Sequence, residues 1–154
     1  MKPLYKQIQF LDKRKLKKQI KNFLKEDVPT NDKTTDLFIT SKESTLATII
    51  ARETMIFCGA DIIKAGFGPN IKTNIKIKDG KTIKPGTKIA TVKGNSRKIL
   101  TNERVVLNLI QRLSGIAPHT KEYVDTLNNK EIQILDTRKT TPGIRFLEKH
   151  AVKI

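Results

Sequence analysis

Between Lys13 and Glu26 the apolar residues Leu16, Ile20, Phe23 and Leu24 recur at offsets of 0, 4, 7 and 8, and lysine fills most of the remaining positions. That spacing places them on one face of a helix, with Asp12 as its N-cap. The lysine face is read as the solvated side of a packed helix and not as a nucleic-acid or membrane surface. Pro29 and the polar run Thr30 to Thr35 end the helix. From Thr45 to Arg52 the residues Leu46, Thr48 and Ile50 alternate with Ala47, Ile49 and Ala51, the period of a strand. Short strands follow between Ile71 and Lys93, around Ile71, Ile75 and Ile77, then Ile83, then Ile89 and Val92. They are separated by the turn pairs Asp79-Gly80 and Pro85-Gly86.

The apolar set Val105, Val106, Leu109, Ile110 and Leu113 returns to helical period from Asn102 to Leu113. A second helix is expected from about Pro118 to Leu127, with Ser114-Gly115 marking the join. Asn128-Asn129 reads as a turn. Glu131 to Asp136 then carries a nearly continuous apolar run, which suits a strand of a parallel sheet. The predicted order is helix and antiparallel sandwich first, then a β-α unit, an α/β chain that divides at residues 1–113 and 114–154.

The sandwich pattern resembles the half-barrel of biotinyl and lipoyl carrier domains. A carrier needs a modifiable lysine in a flanking motif at a hairpin tip. Here the tip reads Lys78-Asp79-Gly80-Lys81 without that motif, so the sandwich is read as structural.

Composition narrows the chemistry. The chain has 154 residues, 37% hydrophobic and 5% aromatic, enough for one modest aliphatic core. Its formal net charge of +16 favours anionic partners. No aromatic-rich basic patch is present to stack bases, so nucleic acid is not the expected partner. Cys58 is the single cysteine and excludes an internal disulfide. With only His119 and His150 beside it, the sequence spacing shows no metal site. No apolar run approaches a membrane span, and the lysine-rich start lacks the apolar core of a signal peptide, so a cytoplasmic protein is expected.

The segment DTRKTTPG, Asp136 to Gly143, places a carboxylate, an arginine and a lysine directly after Ile132, Ile134 and Leu135. Loops at the carboxyl ends of parallel strands are where barrel and open-sheet enzymes collect substrates. Arg138 offers a planar fork for a carboxylate or phosphate, and Lys139 a mobile point charge. Thr141 is expected to cap the following helix, with Pro142 at its first position, which would aim a positive helix end at the same place.

With NERVVLNLIQRLSGIA (Asn102 to Ala117), EKHAV (Glu148 to Val152) and DVPTNDKTTD (Asp27 to Asp36), this loop makes the chain resemble the quinolinate phosphoribosyltransferases. These are the decarboxylating nicotinate-nucleotide pyrophosphorylases of de novo NAD synthesis. The resemblance covers nearly the whole chain and departs at His150, where the family usually has Tyr. It implies an N-terminal sandwich domain followed by the first β-α unit of an α/β barrel. It also implies that quinolinate and phosphoribosyl pyrophosphate become nicotinate mononucleotide, pyrophosphate and carbon dioxide.

The implied substrate-binding residues are Arg104, Thr137, Arg138 and Lys139. Arg104 matches an arginine that one subunit of the family's homodimer donates to its neighbour's site; read without the family, it would be an ordinary helix salt bridge with Glu103 or a residue one turn away. Arg52-Glu53 is read as structural, Cys58 as a small buried hydrophobe, and neither His119 nor His150 as an acid or base. No catalytic base is in view, which suits a dissociative reaction governed by positioning and electrostatics.

Mg2+ would accompany phosphoribosyl pyrophosphate, with its ligands, like the family's further basic residues and phosphate loops, on later barrel strands beyond Ile154. A single β-α unit cannot close a barrel. The expectation is therefore a partial chain that is inactive by itself. Two rivals remain: the molybdate-operon paralogue of the same family, against which Pro142-Gly143-Ile144-Arg145 argues, and a non-enzymatic basic module that binds nucleic acid.

Overall fold

The computed structural model describes residues 10–129 and 131–154. The residues from Met1 to Gln9, on which the reading of the lysine-rich start rests, lie outside them.

Helix α1 (Lys13–Asp27) forms as its periodicity predicts. Asp12 Oδ1 accepts from the backbone N–H groups of Arg14 at 2.8 Å and Lys15 at 3.1 Å, which satisfies two of the donors that a helix start leaves unpaired. Leu16 and Ile20 are buried, while Phe23 and Leu24 pack at the edge of the core. A short helix α2 (Lys33–Phe38) starts inside the polar run Thr30 to Thr35, where the sequence indicated only the end of the first helix. Its nucleus is local: Asp32 accepts from the backbone N–H of Thr35 at 3.1 Å and from its hydroxyl at 2.6 Å. Arg97 then fixes α2 from outside, donating to the Ile39 carbonyl at 2.6 Å and to Asp36 Oδ1 at 2.7 Å.

Strand β1 (Ser44–Ile50) pairs antiparallel with β5 (Lys88–Asn95), and β5 pairs on its other side with β3 (Lys72–Ile75), giving the sheet order β1-β5-β3. A two-stranded ribbon, β2 (Met55–Ile56) with β4 (Thr82–Ile83), forms a second, separate sheet. Gly80 and Gly86 both have φ above +80°, as the two expected turns require. Of the two faces of β1, the smaller one turns inward: Ala47 and Ile49 are half-buried and Ala51 is buried, whereas Leu46 and Ile50 remain exposed.

Helix α3 (Ala60–Phe67) is clamped to the long helix α4 (Ser96–Leu127). Gly66 allows the approach, because a Cβ there would collide with Val106 Cγ2. The carbonyl of Gly66, left without a helical partner in the last turn, accepts from the buried Asn102 Nδ2 at 2.7 Å.

The expected pair of helices over 102–127 is in fact this one helix of 32 residues, which runs through Ser114-Gly115 and Pro118. The reason is tertiary. Leu113, Ser114 and Ala117 continue the buried stripe without a break, and Ser114 is satisfied there by accepting from the Cys58 backbone N–H at 3.1 Å. Pro118 removes only one backbone donor, and the packed stripe outweighs that loss. Asn128, in the left-handed conformation, ends the helix where the turn was expected.

Two further expectations are corrected. Residues 131–136 form no strand, because no described segment runs beside them to complete a ladder, and Ile132, Ile134 and Leu135 are 36 to 52% exposed. Helix α5 (Arg145–Lys153) begins after a turn, with Ile144 and not Thr141 at its N-cap position. Phe146, Leu147 and Ala151 join its inner face to the core shared by α1, α3 and α4. No helix among the described residues is long and apolar enough to cross a membrane.

Candidate functional site

The loop from Asp136 to Gly143 is tied down at its backbone and on its inward side chains. Thr141, instead of capping α5 from its first turn, hands its backbone N–H to Glu148 Oε2 at 3.0 Å and its hydroxyl to Glu148 Oε1 at 2.8 Å. The same carboxylate accepts from Arg112 Nε at 3.0 Å and Nη2 at 2.8 Å, so α4, the loop and α5 meet at one buried acid. Burial alone would raise the Glu148 carboxyl, but the two Thr141 donors and the Arg112 guanidinium hold it below the usual carboxylate range. Arg145 Nε donates to Thr140 Oγ1 at 2.9 Å and its Nη2 to the Arg138 carbonyl at 3.3 Å. Gln19 on α1 donates to the Gly143 carbonyl at 3.0 Å.

Asp136 points inward, with Oδ1 2.7 Å from Lys149 Nζ. Its negative charge is thereby compensated within the fold. Thr137 Oγ1 accepts from the Lys139 N–H at 3.0 Å, which shapes the turn at the loop's tip. The side chains of Arg138 and Lys139 are exposed and make no hydrogen bond or ion pair among the described residues. A loop held by three elements thus presents two cations that are uncommitted among the described residues, an arrangement suited to an anion.

Arg104 is elsewhere. It lies eight residues before Arg112 on α4, about 12 Å along the helix axis, and no contact joins it to Arg138 or Lys139. The salt bridge that a bare reading of the helix offers it is not formed. Arg104 instead lines a cleft of about 350 Å³ with Asp27, Pro29, Asp32 and Thr101, where its charge helps lower the Asp32 carboxyl, after the hydrogen bonds from Thr35. Within one chain the structure therefore brings Thr137, Arg138 and Lys139 together and leaves Arg104 apart.

Sequence reasoning missed Arg112, Arg145 and Glu148 as the loop's supports. An Arg and a Glu 36 residues apart carry no signal in a linear reading. It also missed the group formed by Cys58, Asp79 and His150, whose potential ligand atoms lie within 4.8 Å of one another. Arg52 and Glu53 are exposed beside a cleft of about 330 Å³ that also involves Ile49, Phe57 and Gln111.

Comparison with known proteins follows the same lines. The family description "Quinolinate phosphoribosyl transferase, N-terminal domain" matches residues 32–114, and "Quinolinate phosphoribosyl transferase, C-terminal domain" matches residues 116–154. A probable nicotinate-nucleotide pyrophosphorylase (carboxylating) of Bacillus subtilis is 48% identical over 141 residues, which is 90% of this chain and 48% of that protein. Among solved structures, the nicotinate-nucleotide pyrophosphorylase of Francisella tularensis superposes with a TM-score of 0.85 at 36% identity, covering 97% of this chain and 54% of that one. NadC from Streptococcus pyogenes gives 0.88 at 32% identity, covering 95% and 53%. The chain thus spans about half the length of the relatives it matches. With its sandwich, its long α4 and its supported loop, it belongs to the quinolinate phosphoribosyltransferase family.

Proposed function

We propose that this chain supplies the N-terminal sandwich domain (residues 1–113) and the opening of the barrel (residues 114–154) of an enzyme acting in the cytoplasm. That enzyme would convert quinolinate and phosphoribosyl pyrophosphate to nicotinate mononucleotide, pyrophosphate and carbon dioxide. The observation that carries this reading is the pair Arg138 and Lys139, exposed and without a partner among the described residues, on a loop whose backbone is held by α1 and α5 and whose Thr141 hydroxyl is held by α4. Quinolinate is a dicarboxylate, and desolvating two carboxylates requires fixed cations. Thr137, at the same tip, can donate its hydroxyl to a carboxylate while it accepts from the Lys139 N–H.

A homodimer accounts for Arg104. Its separation from the loop within one chain makes sense if it reaches into the site of a second copy, as two-fold symmetry permits. Mg2+ is the metal that phosphoribosyl pyrophosphate would bring. The described residues do not fit it: the one group of three potential ligands among them includes a thiol, and Mg2+ takes oxygen ligands. No step of the reaction is therefore routed through a metal held by this chain.

Calorimetric titration tests the reading. Quinolinate should bind the chain and nicotinate, which lacks the second carboxylate, should bind at least about tenfold more weakly, the loss of roughly one charge-assisted contact. The double variant Arg138→Ala, Lys139→Ala should abolish the difference. Equal affinities for the two ligands in the unmodified chain would overturn the assignment of the loop.

A further inference from the structure

Cys58, Asp79 and His150 come from three separate parts of the chain, the segment between β2 and α3, the β3–β4 turn and the last turn of α5. The fold brings one potential ligand atom from each to within 4.8 Å of the others. Cys58 is fully buried, and the side chains of Asp79 and His150 are 19% and 12% exposed.

Each member is already oriented. Asp79 Oδ1 accepts from the backbone N–H groups of Gly59 and Ala60, both at 2.9 Å, which pins the carboxylate against the start of α3. Its other oxygen, Oδ2, faces His150 Nε2 at 3.7 Å, too long for a hydrogen bond. The Cys58 backbone is fastened to Ser114 on α4. His150 Nδ1 is buried without any hydrogen-bond partner, the one such side-chain atom among the described residues. A buried ring nitrogen with no partner is costly, whereas the Asp79 carboxylate is already served by its two backbone donors.

We propose that Cys58, Asp79 and His150 form a binding site for a divalent zinc-type cation that staples α5 to the sandwich domain. The donor set decides the class of metal. Thiolate, imidazole and carboxylate together suit Zn2+ and its optical surrogate Co2+, whereas Mg2+ and Ca2+ prefer all-oxygen sites. Tetrahedral zinc places such ligands about 3.4 to 3.6 Å apart, so the side chains need close by only about an ångström. The charges also balance, because one thiolate and one carboxylate neutralise a dication. Asp79 and His150 are partly exposed, so solvent would supply the fourth ligand. On binding, the Cys58 thiol gives up its proton to solvent and the S–H bond is replaced by a sulfur–metal bond, so affinity falls as the pH is lowered.

The consequence reaches the loop. Glu148 and Arg145, which hold residues 138–141, stand on the same helix as His150. Fixing the end of α5 therefore fixes the base of the loop.

The test is titration of chelator-stripped full chain with Co2+. One equivalent should produce the visible bands of tetrahedral cobalt and a thiolate-to-metal band in the near ultraviolet; Zn2+ should displace it and Mg2+ should not. Cys58→Ser should remove the thiolate band, His150→Phe should abolish binding, and the exposed control His119→Ala should change nothing. If Cys58→Ser does not fold, X-ray absorption of the zinc-loaded wild-type chain decides: one sulfur at about 2.3 Å with nitrogen or oxygen at about 2.0 Å supports the site. A shell of nitrogen and oxygen alone, an unmodified chain that binds no cobalt, or a thiolate band that survives both substitutions would overturn the proposal.

Discussion

Arg112 and Glu148 meet at 2.8 Å across 36 positions of sequence, and through this contact α4 holds the loop that carries Arg138 and Lys139. Glu148 is buried while Arg112 is about half exposed. The carboxylate is the hub, since it serves Thr141 as well as Arg112.

Glu148 should therefore set an acid limit on stability. Its folded-state carboxyl is held below the ordinary carboxyl value of about 4.5, so the folded state prefers the ionised form more strongly than the unfolded chain does. The stabilisation is fully present above about pH 4.5 and is lost as pH falls through the lower folded value. Glu148→Gln should flatten the acid limb of a plot of stability against pH and cost about 2 to 3 kcal/mol near neutrality, where charge-assisted bonds are removed. Urea unfolding at a series of pH values checks this; an unchanged acid limb would show that Glu148 is not the group responsible.

Gly66 and Asn102 should matter for packing alone. Gly66→Ala drives a methyl into Val106, an overpacking expected to cost about 1 to 3 kcal/mol. Asn102→Leu leaves the Gly66 carbonyl without its donor, with a similar loss of about 1 to 3 kcal/mol. Thermal melts should show both variants destabilised, while the double variant should depart from additivity because the two sites touch.

In an enzyme completed by the rest of the barrel, Lys139→Ala should lower kcat/KM for quinolinate by about 10- to 100-fold, the worth of one charge-assisted contact of roughly 1.5 to 3 kcal/mol. Arg138→Lys should also be damaging, since it keeps the charge and loses the planar fork. Steady-state kinetics decide, and wild-type values for both variants with an intact fold would reduce the loop to a structural turn.

Sharing of the site between two copies gives a complementation test. In the completed enzyme, Arg104→Ala and Lys139→Ala subunits should each be nearly inactive alone. Co-expressed, about half the dimers pair one of each, and each mixed dimer has one intact site of two, so activity should return to about a quarter of wild type. Mixed dimers as inactive as their parents would place Arg104 within its own subunit's site or outside any site.

By itself the sequence determined what depends on near neighbours. The lysine-flanked stripe of Leu16 and Ile20 with Asp12 at its start, the glycine turns at Gly80 and Gly86, and the cationic tip Thr137-Arg138-Lys139 were all legible. Each rests on periodicity, capping or turn chemistry within a few residues. The family motifs added the fold class and the family.

Only the tertiary structure decided the rest. Pro118 reads as a helix start and lies inside α4, because a stripe buried against Cys58 outweighs one missing donor. Thr141 reads as an N-cap and instead answers to Glu148, seven residues on. The run Ile132 to Leu135 reads as a strand and stays unpaired, since a strand exists only beside another. Cys58, Asp79 and His150 give no spacing that a linear reading can detect. Their proximity follows from α5 packing against α4 beside the β3–β4 turn, and long-range packing is set by the summed burial of the whole core and not by any local pattern.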